Sequence, residues 1–237
     1  NNTNNFGFFA VNSNVDVQEC YIRLYSNHNL INAKKSKITC ENCVLDTLQS
    51  DAERKTTCAI WIGENSSLTL KGCEVFRKEY YSAVYIGDSS VSIIEDSILS
   101  SIYIDKSRVK ISNSEILEIL NAEDLSLVIL EGLINIKGEY DKKIDIYCGN
   151  NSVIKADSIQ INRKTNTNIR INNNSYIIVD NIICSNLELD EMKIENDDTS
   201  GYLHINASKK IAEDQTVEEQ KELKSTPKDN EKEQLEQ

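Results

Sequence analysis

The sequence predicts an all-β fold, a β-helix in which short parallel strands stack coil upon coil. The first observation is a repeated segment: AIWIGENSSL from Ala59 is followed by AVYIGDSSV from Ala83 and SIYIDKSRV from Ser101. The second is the alternation of apolar and other residues within each copy, and the third is the polar turn between copies. A unit that recurs about every twenty residues in this way indicates a solenoid whose units cover one another.

The second half of each unit follows one template: apolar, any, apolar, two turn residues, a small or polar residue, any, apolar. Six units fit it: Val15, Val17, Cys20, Ile22; Ile38, Cys40, Cys43, Leu45; Leu68, Leu70, Cys73, Val75; Val91, Ile93, Asp96, Ile98; Val109, Ile111, Ser114, Ile116; and Leu127, Ile129, Gly132, Ile134. Two looser copies follow at Ile154, Asp157, Ile159 and at Tyr176, Ile178, Asn181, Ile183. We expect the apolar positions of the template to face the core.

The spacing of the apolar residues favours strands over helices. They recur at i and i+2, and Ile, Val and Thr are abundant, which suits a pleated surface. Asn, Ser, Asp and Gly stand between the runs, as in turns. The single proline, Pro227, lies outside the repeats, so no strand loses a ladder donor. The strands are therefore expected to form parallel sheets, with coils about 4.8 Å apart.

Two regions of different composition divide the chain. The repeats indicate one β-helix domain of roughly nine coils over residues 1–208, and because the chain starts inside a coil we expect an N-terminal cap upstream of it. Residues 209–237 are rich in Lys, Glu, Gln and Asp and too poor in apolar residues to fold alone. We expect a polar C-terminal tail there, partly disordered or helical, that acts as a linker.

Charge and hydropathy exclude several classes of partner. The net charge is −12 and the isoelectric point is near 4.7. Nucleic-acid binding requires clustered Lys and Arg, so no nucleic-acid partner is expected. No apolar run approaches the ~20 residues of a membrane span, and no signal-peptide pattern opens the chain.

The cysteines indicate a compartment. Cys20, Cys43 and Cys73 occupy the same template position in successive coils, and Cys40 takes a core position. A metal or redox site is one interpretation, but no CxxC pair is joined to a second pair or to His. The other is a ladder of buried, reduced thiols, and seven cysteines without a disulfide-like spacing favour a reducing cytoplasm. We expect no metal and no cofactor.

The alternating pattern with Gly-Asp-Ser-Ser and Asn-Asn-Ser turns covers about 200 residues and resembles right-handed parallel β-helix repeat proteins of the pectate-lyase-like superfold. The resemblance implies three strands per coil, an apolar interior and side-chain ladders. The family includes polysaccharide lyases and hydrolases, phage tailspikes and non-enzymatic repeat domains. This chain is most similar to intracellular, non-enzymatic ones attached to AAA+ ATPases of the stage V sporulation protein K type. The polygalacturonase motifs are absent, so the resemblance supplies no catalytic residue.

Alternation predicts which side chains of the first strand of each coil face outwards. In order they are Trp61, Tyr85, Tyr103, Glu118, Asp145, Arg170 and His204. Trp61, Tyr85 and Tyr103 are candidates for binding a protein partner or sugar rings, or they simply stack and cover the sheet. Glu118 and Asp145 on adjacent coils could form a glycosidase pair about 5 Å apart, with Arg170 and His204 beside them. A solvated face with weak ion pairs is the alternative.

The sequence therefore supports two functional hypotheses. The first is a non-catalytic scaffold that presents this stripe to a protein partner or positions an attached domain of a larger protein. The second is a carbohydrate-active module, a polysaccharide lyase or glycoside hydrolase, which binds or cleaves acidic polysaccharide with catalytic Glu118, Asp145, Arg170 and His204. Only this second hypothesis calls for a Ca²⁺ ion, which carboxylates would hold.

Overall fold

The computed structural model describes residues 7–25, 29–48, 58–77, 82–137, 146–161, 168–184, 193–196 and 201–205. Within these ranges the chain forms 21 β-strands and no helix, and every strand pair is parallel. The predicted all-β parallel solenoid is confirmed. The predicted tail at 209–237 lies outside the described residues. No helix that could cross a membrane occurs in the described part of the chain.

The strands, numbered in chain order, follow one another around three sheets. Sheet 1 contains β1 (Phe8–Val11), β4 (Ile31–Lys34), β7 (Ile60–Gly63), β10 (Val84–Ile86), β16 (Ile146–Cys148), β18 (Asn168–Ile171) and β20 (Lys193–Asn196). Sheet 2 contains β2 (Asn14–Gln18), β5 (Lys37–Glu41), β8 (Ser67–Lys71), β11 (Val91–Glu95), β13 (Arg108–Ser112) and β21 (Tyr202–Ile205). Sheet 3 contains β3 (Tyr21–Tyr25), β6 (Val44–Leu48) and β9 (Glu74–Arg77).

Five longer strands turn a corner and belong to two sheets. Two of them, β12 (Ile98–Asp105) and β14 (Glu115–Glu123), run from sheet 3 into sheet 1. The other three, β15 (Leu127–Ile136), β17 (Val153–Ile161) and β19 (Tyr176–Cys184), run from sheet 2 into sheet 3. With these, sheet 1 has nine strands among the described residues, in agreement with the roughly nine coils predicted.

The core lies between the three sheets and is built from Ile, Val, Leu, Ala and Cys. In β10, Val84 and Ile86 point inwards with no exposed surface. They lie in register with Ile60 and Ile62 of the preceding coil. Burying one such side chain contributes about 1.5–3 kcal/mol relative to leaving it in water. Because equivalent positions stack along the solenoid axis, the core side chains of each coil are buried by those of the two adjacent coils.

The template was wrong by one residue in three units. It placed Val91 and Ile93 in the core, but they face solvent with 53% and 40% of their surface exposed. Ser92 and Ile94 point inwards instead, because β11 pairs Ser92 with Leu68. The same shift occurs in two further strands: the inward residues are Val128 and Leu130 in β15, and Ile177 and Val179 in β19. These strands have apolar residues at adjacent positions, so apolar spacing alone permits either register.

The corner between sheets 1 and 2 carries a serine ladder. Seven hydrogen bonds link eight serines: the amide N–H of every member except the last donates to Oγ of the serine in the next coil, at 3.1–3.3 Å. Its members are Ser13, Ser36, Ser66, Ser90, Ser107, Ser126, Ser152 and Ser175, all buried except Ser13. The residue before each of them has a φ of 48 to 65°. This left-handed conformation lets the chain turn and aim the amide along the solenoid axis.

A thiol ladder occupies the next corner, between sheets 2 and 3. Cys20, Cys43 and Cys73 lie at equivalent positions, as predicted, and Ser97 continues the column by accepting a hydrogen bond from the Cys73 amide at 3.1 Å. The thiol of Cys73 donates to the carbonyl oxygens of Cys40 and Lys71 at 3.3 and 3.4 Å. The thiols thus also act as hydrogen-bond donors to the backbone. All six cysteines with a described side chain are free.

Burial of the thiols predicts a loss of stability at alkaline pH. It raises the pKa of Cys40, Cys58 and Cys148 from an ordinary value near 9 to about 12. In the unfolded chain these thiols ionise near pH 9, whereas in the folded chain they stay protonated, so their contribution is complete below about pH 9 and is lost as the pH rises towards 12. Urea unfolding between about pH 8 and pH 11 should show this decrease, and Cys40→Ala should make it less steep.

Alkylation of the cysteines in the native protein gives a second measurement of how deeply the thiols are buried. Cys43 and Cys73 are 1% exposed and Cys40 has no exposed surface, so alkylation should be slow until denaturant is added. Cys20 is half-buried at the first coil and is expected to react first. Equal labelling rates in native and unfolded protein would contradict the buried ladder.

Candidate functional site

The outward face of sheet 1 carries a column of large side chains. Trp61 in β7, Tyr85 in β10 and Tyr103 in β12 are in register on three successive coils, as predicted, and we call these three residues the aromatic stripe. The next two positions of the column are Asn121 in β14 and Tyr147 in β16. Each lies between two inward-facing residues of its strand, so the pleat itself points it outwards.

The rings of the aromatic stripe stack on one another. Trp61 and Tyr85 have ring centroids 5.9 Å apart and planes 8° apart, and Tyr85 and Tyr103 have values of 5.5 Å and 12°. Lys34 places its Nζ over the Trp61 ring, 5.7 Å from the centroid. The same Nζ contacts Oε1 of Glu64 at 2.5 Å. The inner ring faces are therefore turned towards neighbouring rings, and the outer face of Trp61 is turned towards a cation.

Glycines two residues downstream give the rings their orientation. A Cβ on Gly63 would lie 2.2 Å from the Trp61 ring, and one on Gly87 would lie 2.6 Å from the Tyr85 ring. Tyr147 has the same relation to Gly149. Each ring therefore lies along its own strand rather than standing upright on it. The sequence signal was present as an aromatic-x-Gly pattern, which the sequence analysis did not use.

Carboxylates of the following coil hold the tyrosine hydroxyls. Tyr85 Oη donates to Oδ2 of Asp105 at 3.1 Å, and Tyr103 Oη donates to Oε2 of Glu123. Burial raises the pKa of both hydroxyls above the ordinary value, and the adjacent carboxylates raise it further. With exposed Asp88 and half-buried Asp124, these carboxylates form a border along the stripe in which acidic groups are in excess, although Lys106 Nζ lies 3.9 Å from Asp105 Oδ1 and 3.5 Å from Asp124 Oδ2. This border was not predicted, because Asp105 and Glu123 end their strands and Asp88 and Asp124 lie in turns, so its members share no position in the repeat template.

Glu118 was wrongly predicted to belong to this column. It lies in the bend of β14, is 4% exposed, and its column position is taken by Asn121. The cause is an irregularity: β12 pairs Leu99 with Ile116 but Ser101 with Ile119, so β14 has one extra residue at the corner. Apolar Leu117 and Ile119 flank Glu118 and suggest that it faces outwards, but the buried positions of β14 are Ile116, Glu118, Leu120 and Ala122.

The other three charged candidates have different outcomes. Arg170 lies in the column as predicted, in register with Tyr147. His204 was predicted in the column but lies on sheet 2, exposed and opposite Ile178. Asp145 lies outside the described residues. Glu118, Arg170 and His204 thus do not converge on one outward surface.

Within the described ranges, no group of three or more His, Cys, Asp or Glu side chains is placed to hold a metal ion. The arrangement on sheet 1 is instead a rigid aromatic surface with a negatively charged border. Comparison with protein-family models, with curated proteins and with solved structures finds no match to this chain.

Proposed function

We propose that this β-helix is a non-catalytic scaffold whose aromatic stripe binds a protein partner. The observation that carries the proposal is the in-register stack of Trp61, Tyr85 and Tyr103, held by the carboxylates of Asp105 and Glu123. Large aromatic side chains supply most of the energy in many protein interfaces. The resemblance to repeat domains of larger proteins agrees with a role as an accessory domain.

The order within the stripe favours binding without a large entropic cost. Stacking already restricts all three rings before any partner arrives, and hydroxyl hydrogen bonds further restrict Tyr85 and Tyr103. Ordering a flexible side chain at an interface costs about 0.5–1.5 kcal/mol, and much of that cost is removed here. The half-buried rings still expose their edges, which leaves apolar surface for a partner to cover.

The geometry favours a protein over a sugar. A sugar ring packs on a free aromatic face, but the inner faces of this stack are turned towards one another. The acidic border of Asp88, Asp105, Glu123 and Asp124 would also repel an acidic polysaccharide. A protein segment with Lys or Arg beside apolar residues fits this surface better. Its apolar side chains would cover the ring edges, and its cations would be attracted to the border carboxylates, which favours encounter and fixes the register of binding.

The proposal is tested with Trp61→Ala combined with Tyr85→Ala. The double variant is expected to keep its β-sheet circular dichroism and to lose capture of partners from a lysate, because binding energy concentrates in a few aromatics. The matched control is Tyr176→Ala with Tyr202→Ala, which removes the stacked pair on sheet 2 and leaves the stripe intact. This control is expected to capture the same partners as the unaltered protein.

Two results would contradict the proposal. One is equal capture by the stripe variant and by the unaltered protein. The other is the appearance of reducing or unsaturated ends when the unaltered protein is incubated with pectate or alginate, with or without Ca²⁺. We expect no such cleavage, and in the enzymatic alternative Glu118→Gln would abolish it.

A further inference from the structure

The outward face of sheet 2 combines aliphatic and cationic side chains. From β11 to β17 two of its outward columns contain Val91, Arg108, Leu127 and Val153, and Ile93, Lys110, Ile129 and Lys155, and a third column beside them contains Glu95, Ser112 and Glu131. We call the eight residues of the first two columns the mixed face. Val91, Ile93 and Ile129 are 53%, 40% and 36% exposed, and Arg108 and Lys155 are also exposed. Contiguous exposed apolar side chains of this kind mark interaction surfaces.

The charges of the mixed face are opposite to those beside the aromatic stripe. Arg108, Lys110 and Lys155 stand out in a chain whose net charge is −12. Lys110 contacts Glu131 at 2.7 Å, but both side chains are more than 40% exposed, and such surface pairs contribute little and exchange readily. The stripe in turn is bordered by the acidic residues Asp88, Asp105, Glu123 and Asp124. Both faces contain charges of each sign once Glu95 and Glu131 beside the mixed face are counted. Cations are nevertheless in excess on the mixed face, and carboxylates are in excess beside the stripe, where Lys106 contacts Asp105 and Asp124. Each face therefore combines apolar surface with an excess charge opposite to that of the other.

The two faces also share one axial repeat. Both are sheets of the same solenoid, so their rows recur at the same interval of about 4.8 Å. When two copies lie side by side with parallel axes, alignment of their strands at one coil also aligns their strands at all the remaining coils. A partner of a different fold need not have this spacing, whereas a second copy of the chain has the same one.

We propose that the mixed face of a second copy of this chain docks on the aromatic stripe. The inference rests on the proposed function, since it names the partner of the stripe. The mixed face spans four coils, so it is about 19 Å long and about 16 Å wide and offers ~300 Å² per copy, less than half of the ~800 Å² per partner of a standard interface. Because the two contacting surfaces differ, the contact is head to tail and builds rings or chains rather than a closed two-fold dimer.

Sedimentation velocity of the full 237-residue chain tests the assembly. Its weight-average mass is expected to rise above 26.8 kDa between about 1 and about 500 µM, because a contact of this size binds weakly. Raising NaCl from about 50 to about 500 mM should reduce the rise, since salt screens exposed charges. The emission of Trp61, the single tryptophan, should shift with the same concentration dependence.

Two variants separate the two faces. Trp61→Ala with Tyr85→Ala removes the stripe, and Arg108→Glu with Lys155→Glu reverses exposed charges of the mixed face. Each variant alone is expected to stay monomeric at all concentrations. An equimolar mixture should form a one-to-one complex of twice the monomer mass and grow no further, because one intact face remains on each molecule. Lys37→Glu with Lys71→Glu, an equal charge change at exposed positions of sheet 2 outside the mixed face, should assemble like the unaltered protein.

Three outcomes would overturn the inference. They are a monomeric unaltered protein over the whole range, a mixture of the two variants that stays monomeric, and undiminished assembly of the Arg108→Glu, Lys155→Glu variant. None of these outcomes by itself contradicts the proposal that the aromatic stripe binds a protein partner. The stripe would still be a binding surface if the Trp61→Ala, Tyr85→Ala variant lost capture of a different protein while the unaltered chain stayed monomeric.

Discussion

Replacing Ile86 with aspartate is expected to lower the free energy of unfolding by about 4 kcal/mol or more, because it buries an unpaired charge. Ile86 has no exposed surface and lies in register with Ile62 and Ile104 of the two adjacent coils. Both in-register neighbours are therefore apolar and offer an aspartate no hydrogen bond. Because each coil of a solenoid contacts only its neighbours, disruption of this coil also uncovers the core on both sides.

The matched control is Tyr85→Asp, one residue earlier in the same strand. Tyr85 points outwards and is half-buried, so we expect a loss of about 1 kcal/mol from the two ring contacts. Urea unfolding followed by circular dichroism measures both values. A loss at Tyr85 as large as the loss at Ile86 would show that the inward and outward positions are exchanged, since a one-residue slip moves every side chain to the other face.

The fold was predictable because the repeat constrains the chain at several levels at once. Alternation in IWIG and VYI assigns Ile60, Ile62, Val84 and Ile86 to the core, where the structure has them. The turn residues agree with that assignment, since Asn65, Asn151 and Asn174 have the positive φ that asparagine tolerates. Local preference and global stacking thus favour the same structure.

The register of β11, β15 and β19 was not predictable from apolar spacing. In VSIIE, both Val91 with Ile93 and Ser92 with Ile94 satisfy or nearly satisfy the template. Aligning the corner serines resolves the ambiguity: Leu68 follows Ser66 by two residues, and Ser92 follows Ser90 by two. Hydrogen bonding at the corner therefore decides the register, although it leaves the polar Ser92 in the core and exposes Ile93.

The candidate site was predictable in part. Trp61, Tyr85 and Tyr103 lie on regular strands without bulges between them, so alternation places them correctly. Glu118 lies at the irregularity of β14 and His204 lies on sheet 2, so the apolar residues that flank each of them do not show which way its side chain points on sheet 1. The carboxylates that hold the rings are contacts between successive coils. Asp105 reaches Tyr85 from 20 residues away, which no local pattern indicates.

Removing one hydroxyl from the serine ladder is expected to have the second large effect on stability. Ser107 Oγ accepts the amide hydrogen of Ser90 at 3.2 Å, and both residues are at most 3% exposed. In Ser107→Ala that amide stays buried and loses its acceptor. Leaving a buried donor unsatisfied costs about 1–3 kcal/mol, more than the loss of the hydroxyl alone would suggest. Urea unfolding should show a loss within this range.

Ser112→Ala provides the control, because Ser112 is half-buried on the outward face of β13 and does not belong to the ladder. Its effect should stay within about 0.5 kcal/mol, as for most surface changes. Combining Ser107→Ala with Ser90→Ala tests additivity. Ser90 Oγ accepts a different amide hydrogen, that of Ser66, so each change leaves one amide without its acceptor. The two broken hydrogen bonds share no donor or acceptor, so the double variant should lose close to the sum of the single losses. A Ser107→Ala loss no larger than that of Ser112→Ala would mean that the ladder hydrogen bonds contribute little and that apolar stacking alone holds the coils in register.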